Sequence, residues 1–360
     1  MISLFLASAL NALVNASFIL IWLTSSLVAA LIALKLALFA WEEITRRSLL
    51  WMKPAFEDCL AKRSQPPPKA FRRLRWPRRS ILQYLIIYRS FGHTGRSLQR
   101  IADAYESLGF IEADQKRLRS WFWWVRAEGA RCLGQMKARR AKARLLENLG
   151  DSSVPVRLMS AWALGRIGDA DSIERILEAL VGSSRIAGMR LSSTVFELGE
   201  KAVRPLMECL AHPDYRIRLL VIHLLGELKD PRSLPAILSR TEPKEHKEVR
   251  VAAYKALGTI AHPSAVPALA RGLKDMHWEV RAQAARGLGE IGAPRAAKML
   301  RRALEDPKWW VRRNAGEALT KIKPEGEKML LEAYRKSSPS PARDMAEQWL
   351  DEIGSLPSVS

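Results

Sequence analysis

The chain has 360 residues and a formal net charge of +21, from 58 lysines and arginines against 37 aspartates and glutamates. Residues 1–120 hold 18 of the basic and 8 of the acidic residues, so the rest of the chain is only mildly basic for its length. The three cysteines, Cys59, Cys132 and Cys209, are far apart and form no C-x-x-C pair. This spacing excludes a disulfide framework and agrees with a reducing cytoplasm.

The first 34 residues carry no charged side chain, and their composition predicts a membrane-spanning helix. The run from Ser17 to Ala40 is long enough, at about 1.5 Å per residue, to cross a hydrocarbon core of about 30 Å. A cleavable signal peptide would begin with basic residues, whereas the first charge here is Lys35. We therefore predict an uncleaved anchor in residues 1–53, with residues 2–14 extending the helix or lying in the far interface.

Basic residues follow the apolar run and predict its orientation. Between Cys59 and Arg100 the sequence holds eleven lysines and arginines and no acidic residue. The positive-inside rule then places the N-terminus outside and the rest of the chain in the cytoplasm, as a single-pass protein of the cell (inner) membrane.

Residues 54–77 include Pro66 to Pro68 and are predicted to form a basic, extended linker. The arginines in and just after this segment either only fix the topology or also bind anionic lipid headgroups. The candidates for lipid binding are Arg72, Arg73, Arg75, Arg78 and Arg79. Residues 78–120 then predict lead-in helices near Ile81–Phe91, Ser97–Leu108 and Glu112–Ser120.

From Trp121 the sequence repeats itself about every 31 residues, a period typical of solenoids whose repeats share one core. A hydrophobic residue followed by arginine recurs six times, and a leucine stands eight positions after each hydrophobic member. The pairs are Val125-Arg126, Val156-Arg157, Ile217-Arg218, Val249-Arg250, Val280-Arg281 and Val311-Arg312. Apolar residues within each repeat have the spacing of two amphipathic helices, and no stretch shows sustained strand alternation. The sequence therefore predicts an all-α body.

Segments such as ALGTIAHPSAVPALARGL and VRAQAARGLGEIGAPRAAKMLRRAL resemble HEAT repeats of the short bacterial type, as in phycobilisome-lyase-like proteins. The resemblance covers residues 121–354. It implies a HEAT-like α-solenoid of about seven helix pairs, with a C-terminal cap from Ser338 to Gly354 and a tail in residues 355–360. The resemblance is specific for the fold but nearly silent about activity, because this fold serves adaptors, scaffolds, lyase subunits and a few enzymes.

The third repeat departs from the pattern. Arg190 occupies its hydrophobic slot, and a loop is predicted before it from Gly182 to Gly188. This irregularity predicts either a bend in the solenoid or a contact with a partner.

Neither a dinucleotide-binding loop nor the di-iron site of HEAT-like hydroxylases is predicted. Residues 287–292 match the G-x-G-x-x-G string of dinucleotide-binding loops, but such a loop must follow a strand and open a helix, whereas this string ends a helix. HEAT-like hydroxylases bind two irons through repeated His-Glu pairs, and none of the six histidines here is followed by glutamate. We predict no catalytic residue, cofactor, metal site or small-molecule substrate.

Three sets of side chains are candidates for the surface of the solenoid. The repeated arginines are expected to bond acidic groups and helix-end carbonyls of neighbouring repeats. The tryptophans that precede first helices, Trp124, Trp278 and Trp310, either wedge between repeats or form an aromatic platform. Basic residues on or near second helices, which the resemblance places on the concave side, form a solvated face or bind an acidic partner. These residues are Arg139, Arg140, Arg144, Arg295, Lys298, Arg301 and Arg302.

These features favour a membrane-tethered cytoplasmic scaffold that docks a protein partner, for example a membrane glycosyltransferase or a signalling complex. One alternative is an enzyme or enzyme subunit resembling the bilin lyases, although no bilin pocket is visible in the sequence. The other is a nucleic-acid binder resembling the HEAT-like DNA glycosylases, which is disfavoured because such an enzyme gains nothing from a membrane anchor.

Overall fold

The computed structural model describes residues 2–61, 67–181, 185–336 and 340–356, and within these ranges every regular element is a helix. The chain divides into two compact units. The anchor unit comprises Met1–Ala113 and the solenoid unit Asp114–Ser360.

The anchor unit contains α1 (Ile2–Ala61), α2 (Lys69–Arg72), α3 (Arg78–Ser90) and α4 (Gly95–Ser107), and α5 (Phe110–Arg117) runs across the boundary between the units. The structure corrects the predicted linker of residues 54–77, because α1 continues through Pro54 to Ala61 and Phe71 of α2 is fully buried. Residues 62–66, with Lys62 and Arg63, lie outside the described residues.

Along α1 the environment of the side chains changes at Trp41. Every large apolar side chain from Phe18 to Phe39 is more than half exposed, on all faces of the helix. Beyond Trp41, in contrast, Ser48, Met52 and Phe56 recur every four residues on one face and are buried where α1 packs against α3. Among the described helices α1 alone is long and apolar enough to cross a membrane, by length and composition.

In its described residues, the solenoid unit has seven helix pairs and a final helix, as the sequence predicted. The first helices of the pairs are α6 (Trp123–Gln135), α8 (Val154–Ile167), α10 (Arg185–Leu198), α12 (Tyr215–Leu228), α14 (Lys247–Ile260), α16 (Trp278–Ile291) and α18 (Trp309–Lys321). The second helices are α7 (Lys142–Glu147), α9 (Ile173–Leu180), α11 (Val203–Cys209), α13 (Leu234–Leu238), α15 (Val266–Gly272), α17 (Ala297–Ala303) and α19 (Glu325–Lys336). The last helix, α20 (Pro341–Glu352), packs against α18 and α19 as the predicted cap.

The repeated leucines form the centre of this unit. All six have no exposed surface: Leu133, Leu164, Leu225, Leu257, Leu288 and Leu319. The hydrophobic members of the repeated pairs are also buried from Val156 onward, with at most 2% of their surface exposed. The 31-residue sequence pattern therefore corresponds to one continuous core.

The first helices of successive repeats pack very closely, because the glycines that follow the leucines leave room for a neighbouring backbone. A Cβ atom added at Gly289 would lie 2.6 Å from the Cα of Ala318, and one at Gly258 would lie 2.7 Å from the Cα of Gly287. Second helices of successive repeats contact each other less extensively. The more extensive contacts between successive repeats are thus those of the first helices.

The third repeat differs from its prediction. Helix α10 begins at Arg185, so Gly188 lies within a helix and not in a loop. Residues 182–184 and the side chain of Arg190 lie outside what the structure describes.

Candidate functional site

The repeated arginines connect neighbouring repeats. Arg126 binds both carboxylate oxygens of Asp151, at 2.6 and 2.7 Å, and its Nη1 donates to the carbonyl oxygens of Ser120 and Trp121 at 2.9 Å. The same arrangement recurs between Arg281 and Asp306.

Four further members of this set vary the arrangement. Arg218 binds Glu245 at 2.7 Å, and Arg250 forms a buried ion pair with Asp275. The bonds that Arg157 and Arg312 make in the described residues include several to backbone carbonyls. These bonds confirm the structural interpretation of the arginines, and they leave little reason to regard the set as a stripe that binds an external anion.

The arginines also affect the titration of their partners. Burial by itself raises the pKa of the Asp151 carboxyl, but the bonds from Arg126 and from the backbone N–H of Ser153 outweigh it and lower the pKa below its usual value. Burial by itself also raises the pKa of the Glu245 carboxyl, but the bond from Arg218 outweighs burial and the pKa is lowered. Both carboxylates are thus held in the charged form by the fold.

The glycine string of residues 287–292 has a packing role. Gly287 and Gly289 lie inside α16, and Gly292 ends that helix in the left-handed conformation, with φ of 67°. A Cβ at Gly287 would meet Leu269, and one at Gly289 would meet Ala318. The string therefore does not form a phosphate-binding loop.

The predicted partner-binding residues fall on two separate repeats. Arg139, Arg140 and Arg144 belong to the first repeat, and the other four belong to the sixth, so the structure does not combine them into one patch. Arg144 pairs with Glu147 at 2.5 Å and Arg301 with Glu305 at 2.7 Å, each within a single repeat. Arg295, Lys298 and Arg302 are exposed at the start and on the outer face of α17.

An exposed aromatic cluster, residues 121–124, lies at the start of α6 and agrees with the aromatic platform that the sequence left open as an alternative. Trp121 is 91% exposed, and Phe122, Trp123 and Trp124 are each about half exposed. Trp309 and Trp310 repeat the feature at the start of α18, with ring centroids 4.7 Å apart. Trp124 and Trp310 are both 53% exposed, so the interpretation that they wedge between repeats is wrong. The signal was present in the sequence as adjacent aromatic residues at the first positions of the helix, which point away from the core.

Residues 69–79, which comprise α2, the turn after it and the start of α3, are called the basic loop. The basic loop folds back along α1 in the anchor unit. Phe71 packs edge-on against Trp51 with ring centroids 5.5 Å apart, and Trp76 contacts Trp41 at 6.2 Å. The chain then returns along α1 as α3, whose Arg89 lies 3.8 Å from Glu57. Trp76 is therefore at the level of Trp41, where the exposed apolar part of α1 ends.

The arginines of the basic loop have two kinds of environment. Arg72, Arg73, Arg75 and Arg78 are exposed, and no acidic partner contacts them in the part of the chain that the structure describes. Arg79 is half-buried, donates to the carbonyl oxygen of Leu108 at 3.0 Å, and lies over the ring of Phe110. Of the five predicted lipid-binding residues, four are thus accessible to a ligand and Arg79 supports the fold.

Two grooves accompany these surfaces. In the anchor unit, α1 and α3 enclose a groove of about 420 Å³ that is lined by Phe56, Leu85 and the exposed rings of Tyr84 and Tyr88. In the solenoid unit, a cleft of about 320 Å³ lies between the ends of α12, α14 and α16, with Lys229, Lys255 and Arg286 at its surface.

The His, Cys, Asp and Glu side chains are dispersed over the described residues. The described residues contain no group of three or more His, Cys, Asp or Glu side chains that could hold a metal ion. Burial raises the pKa of the Cys132 thiol, and it raises that of Cys209 to about 11, so both thiols stay protonated and weakly nucleophilic at neutral pH.

Comparison with known proteins agrees with this description. The family model of HEAT repeats matches residues 112–188, 203–275 and 267–351, and a search of curated proteins gives no match. Among solved structures, the chain is similar to human deoxyhypusine hydroxylase, with 22% identity, coverage of 76% of this chain and 96% of that chain, and a TM-score of 0.30. Kap121p bound to Pho4p gives 12% identity, 84% and 39% coverage and a TM-score of 0.49. The CpcE–CpcF complex of phycocyanin lyase from Nostoc sp. PCC7120 gives 22% identity, 68% and 94% coverage and a TM-score of 0.30.

Proposed function

The chain belongs to the HEAT-repeat family, and from this we propose that it is a membrane-tethered scaffold whose solenoid docks a protein partner. The HEAT solenoid fold is compatible with a protein-interaction scaffold. The proposal of a tether rests on the part of α1 from Ser17 to Ala40. Its large apolar side chains are more than half exposed on every face of the helix. In water, so much contiguous apolar surface is unfavourable, whereas a hydrocarbon core about 30 Å thick accommodates a helix of this length.

The orientation proposed for the tether rests on charge. Lys35, Arg46, Arg47 and Lys53 follow the span, and the basic loop comes next. These side chains favour a cytoplasmic position for both the solenoid and the rest of the anchor unit, with the N-terminus outside. A reporter fused to the C-terminus should therefore be active in the cytoplasm, and activity only on the far side of the membrane would contradict the topology.

The tether is tested by extraction. Membranes that contain the full chain are washed with alkaline carbonate, which removes peripheral proteins and leaves embedded ones. We expect the full chain to stay in the membrane pellet. A matched variant, Leu23→Arg with Leu27→Arg, should be released, because each arginine near the centre of a span costs about 2.5–3.5 kcal/mol.

Two surfaces are proposed for the partner. The basic one consists of Arg295, Lys298 and Arg302 on the sixth repeat, with Arg139 and Arg140 on the first as further candidates, and it suits an acidic partner. Arg144 and Arg301 are proposed to contribute less to binding, because each already forms an ion pair with a glutamate of its own repeat. The aromatic one is residues 121–124, and it suits a partner that buries apolar surface, because tryptophans often dominate binding energy at interfaces.

The docking experiment compares variants of the full chain. Proteins crosslinked to the wild type in intact membranes are identified and quantified, and recovery is then measured for Arg295→Glu with Lys298→Glu and Arg302→Glu, and separately for Trp121→Ser with Trp124→Ser. A control with Lys201→Glu and Arg204→Glu changes exposed charges on another repeat. Loss of one partner with one of the first two variants, but not with the control, would locate the docking surface. Recovery of the same proteins by every variant would contradict docking on either surface, and capture of an enzyme complex would favour the enzyme-subunit alternative.

A further inference from the structure

We infer that the basic loop binds the phosphate groups of anionic phospholipids in the leaflet from which α1 emerges. This inference rests on the proposed membrane tether, and it adds a second attachment that is made by charge. The loop was a candidate from its composition alone, but the fold supplies the reason why it can reach the headgroups: it turns back toward the end of the span.

The position of the loop follows from its contacts with α1. Phe71 lies against Trp51, and Trp76 lies against Trp41, which is ten residues earlier in the same helix. At about 1.5 Å per residue, the loop therefore descends about 15 Å along α1 toward the apolar span. The exposed apolar run ends immediately before Trp41, so Trp76 and its neighbours lie at the boundary between hydrocarbon and headgroups.

The aromatic contact at this level fits an interface. Trp76 is 76% exposed and Trp41 43% exposed although the two rings touch each other. Tryptophan is enriched at membrane interfaces, where its ring is in contact with the acyl chains and its N–H with polar groups. A pair of tryptophans from two separate segments thus fixes the depth of the loop.

The charge of the loop is suited to phosphate. Residues 69–79 contain six basic and no acidic side chains. Arg72, Arg73, Arg75 and Arg78 are exposed without an acidic partner among the described residues, and the planar guanidinium group binds phosphate oxygens in pairs. The acidic residues at the same level of α1 are Glu42 and Glu43, and Glu43 is already bonded to Arg46 and Arg47.

The test uses the full chain purified in detergent and incubated with phosphatidylglycerol or with phosphatidylcholine. Native mass spectrometry then counts the lipid molecules that stay bound. We expect phosphatidylglycerol to be retained in preference to phosphatidylcholine. Each basic side chain near an anionic surface contributes about fivefold to binding, so replacing Arg72, Arg73, Arg75 and Arg78 by Gln should lower the retention of phosphatidylglycerol by roughly 600-fold.

Two matched variants make this measurement specific. Replacement of the same four arginines by Lys keeps the charge and should keep most of the retention, which also tests the proposal if the Gln variant does not fold. Replacement of Arg139, Arg295, Lys298 and Arg302 by Gln removes the same charge from the solenoid and should leave retention unchanged. Arg79 is left intact in all variants because it bonds Leu108.

The outcomes separate the possible ligands. Equal retention by the wild type and the loop Gln variant would overturn the inference. Binding of inorganic phosphate that depends on the four arginines, without retention of phosphatidylglycerol, would show that the loop recognises free phosphate and not a lipid. Binding of a single-stranded oligonucleotide that depends on the four arginines, with unchanged lipid retention, would assign the loop to nucleic acid. Carbonate extraction of the wild type tests the tether separately, so an embedded protein without lipid preference contradicts this inference alone.

Discussion

The solenoid and the basic loop both contain many arginines, but the two regions place them in different environments. In the solenoid, Arg126 and Arg281 are about 15% exposed and are bonded to carboxylates and carbonyls of adjacent turns. In the basic loop, Arg72 and Arg78 are exposed and meet no carboxylate in the described residues. An arginine whose donors are all used within the fold contributes to the fold, whereas one with free donors is available to an anion from outside.

The largest expected effect lies at the most buried pair. Arg250 and Asp275 have 4% and 9% of their side-chain surfaces exposed, so Arg250→Met leaves a buried carboxylate without its counter-charge. We expect a loss of stability of about 3–5 kcal/mol, which corresponds to a Tm of the solenoid lower by roughly 6–20 °C. Circular dichroism of the full chain in detergent measures this loss.

The matched control for this substitution is Arg72→Met in the basic loop. It removes the same group from an exposed site without a partner, and the Tm should change by less than about 2 °C. A similar decrease of Tm in both variants would contradict the view that arginines stabilise the solenoid but not the basic loop. Asp275→Asn combined with Arg250→Met should recover part of the loss, because no buried charge remains.

The sequence predicted the elements that depend on periodic burial. Leu257 and Leu288 are core residues in the structure because they recur with the period at which repeats stack, and the arginines after Val249 and Val280 bond as expected from the acidic turns near them. What it could not predict depends on pairing across the third dimension. The exposure of Trp124 and the return of Trp76 to Trp41 each require the path of the backbone, which composition does not specify.

A smaller effect is expected where an arginine of the solenoid has no acidic partner. Among the described residues, Arg312 donates to the carbonyl oxygens of Asp306 and Pro307, at 2.9 and 3.1 Å, and to no carboxylate. Arg312→Met should cost about 1–2 kcal/mol, because the carbonyls lose a charged donor but no carboxylate is stranded. The free energy of unfolding in guanidinium, measured for Arg312→Met and for Arg250→Met, shows which variant is less stable. If Arg312→Met were the more damaging variant, ion pairing would not be what distinguishes the members of the set.

Arg79 differs from the other arginines of the basic loop, because it is bonded within the fold as the arginines of the solenoid are. Its bond to the carbonyl oxygen of Leu108 and its contact with the ring of Phe110 connect the start of α3 to the end of α4. We expect Arg79→Gln to destabilise the anchor unit by about 1 kcal/mol and to speed amide hydrogen exchange in α4. Arg78→Gln, the neighbouring control, should leave exchange unchanged. Equal exchange in both variants would mean that Arg79 belongs with the exposed arginines.

The smallest effect concerns pH and the carboxylate side of one pair. The folded pKa of Asp151 is lowered relative to its value in the unfolded chain, so its ion pair stabilises the solenoid above pH about 4 and this contribution disappears as the pH falls through the folded pKa. Asp151→Asn cannot ionise and should therefore show a lower Tm than the wild type at pH about 7, with a smaller further decrease at pH about 3. An acid-induced decrease as large as that of the wild type would mean that other carboxylates, such as Glu245, carry the pH dependence. Because no carboxylate of the described residues contacts the exposed arginines of the basic loop, replacing these arginines should leave this pH profile unchanged. The pH profile therefore separates the two regions without any ligand.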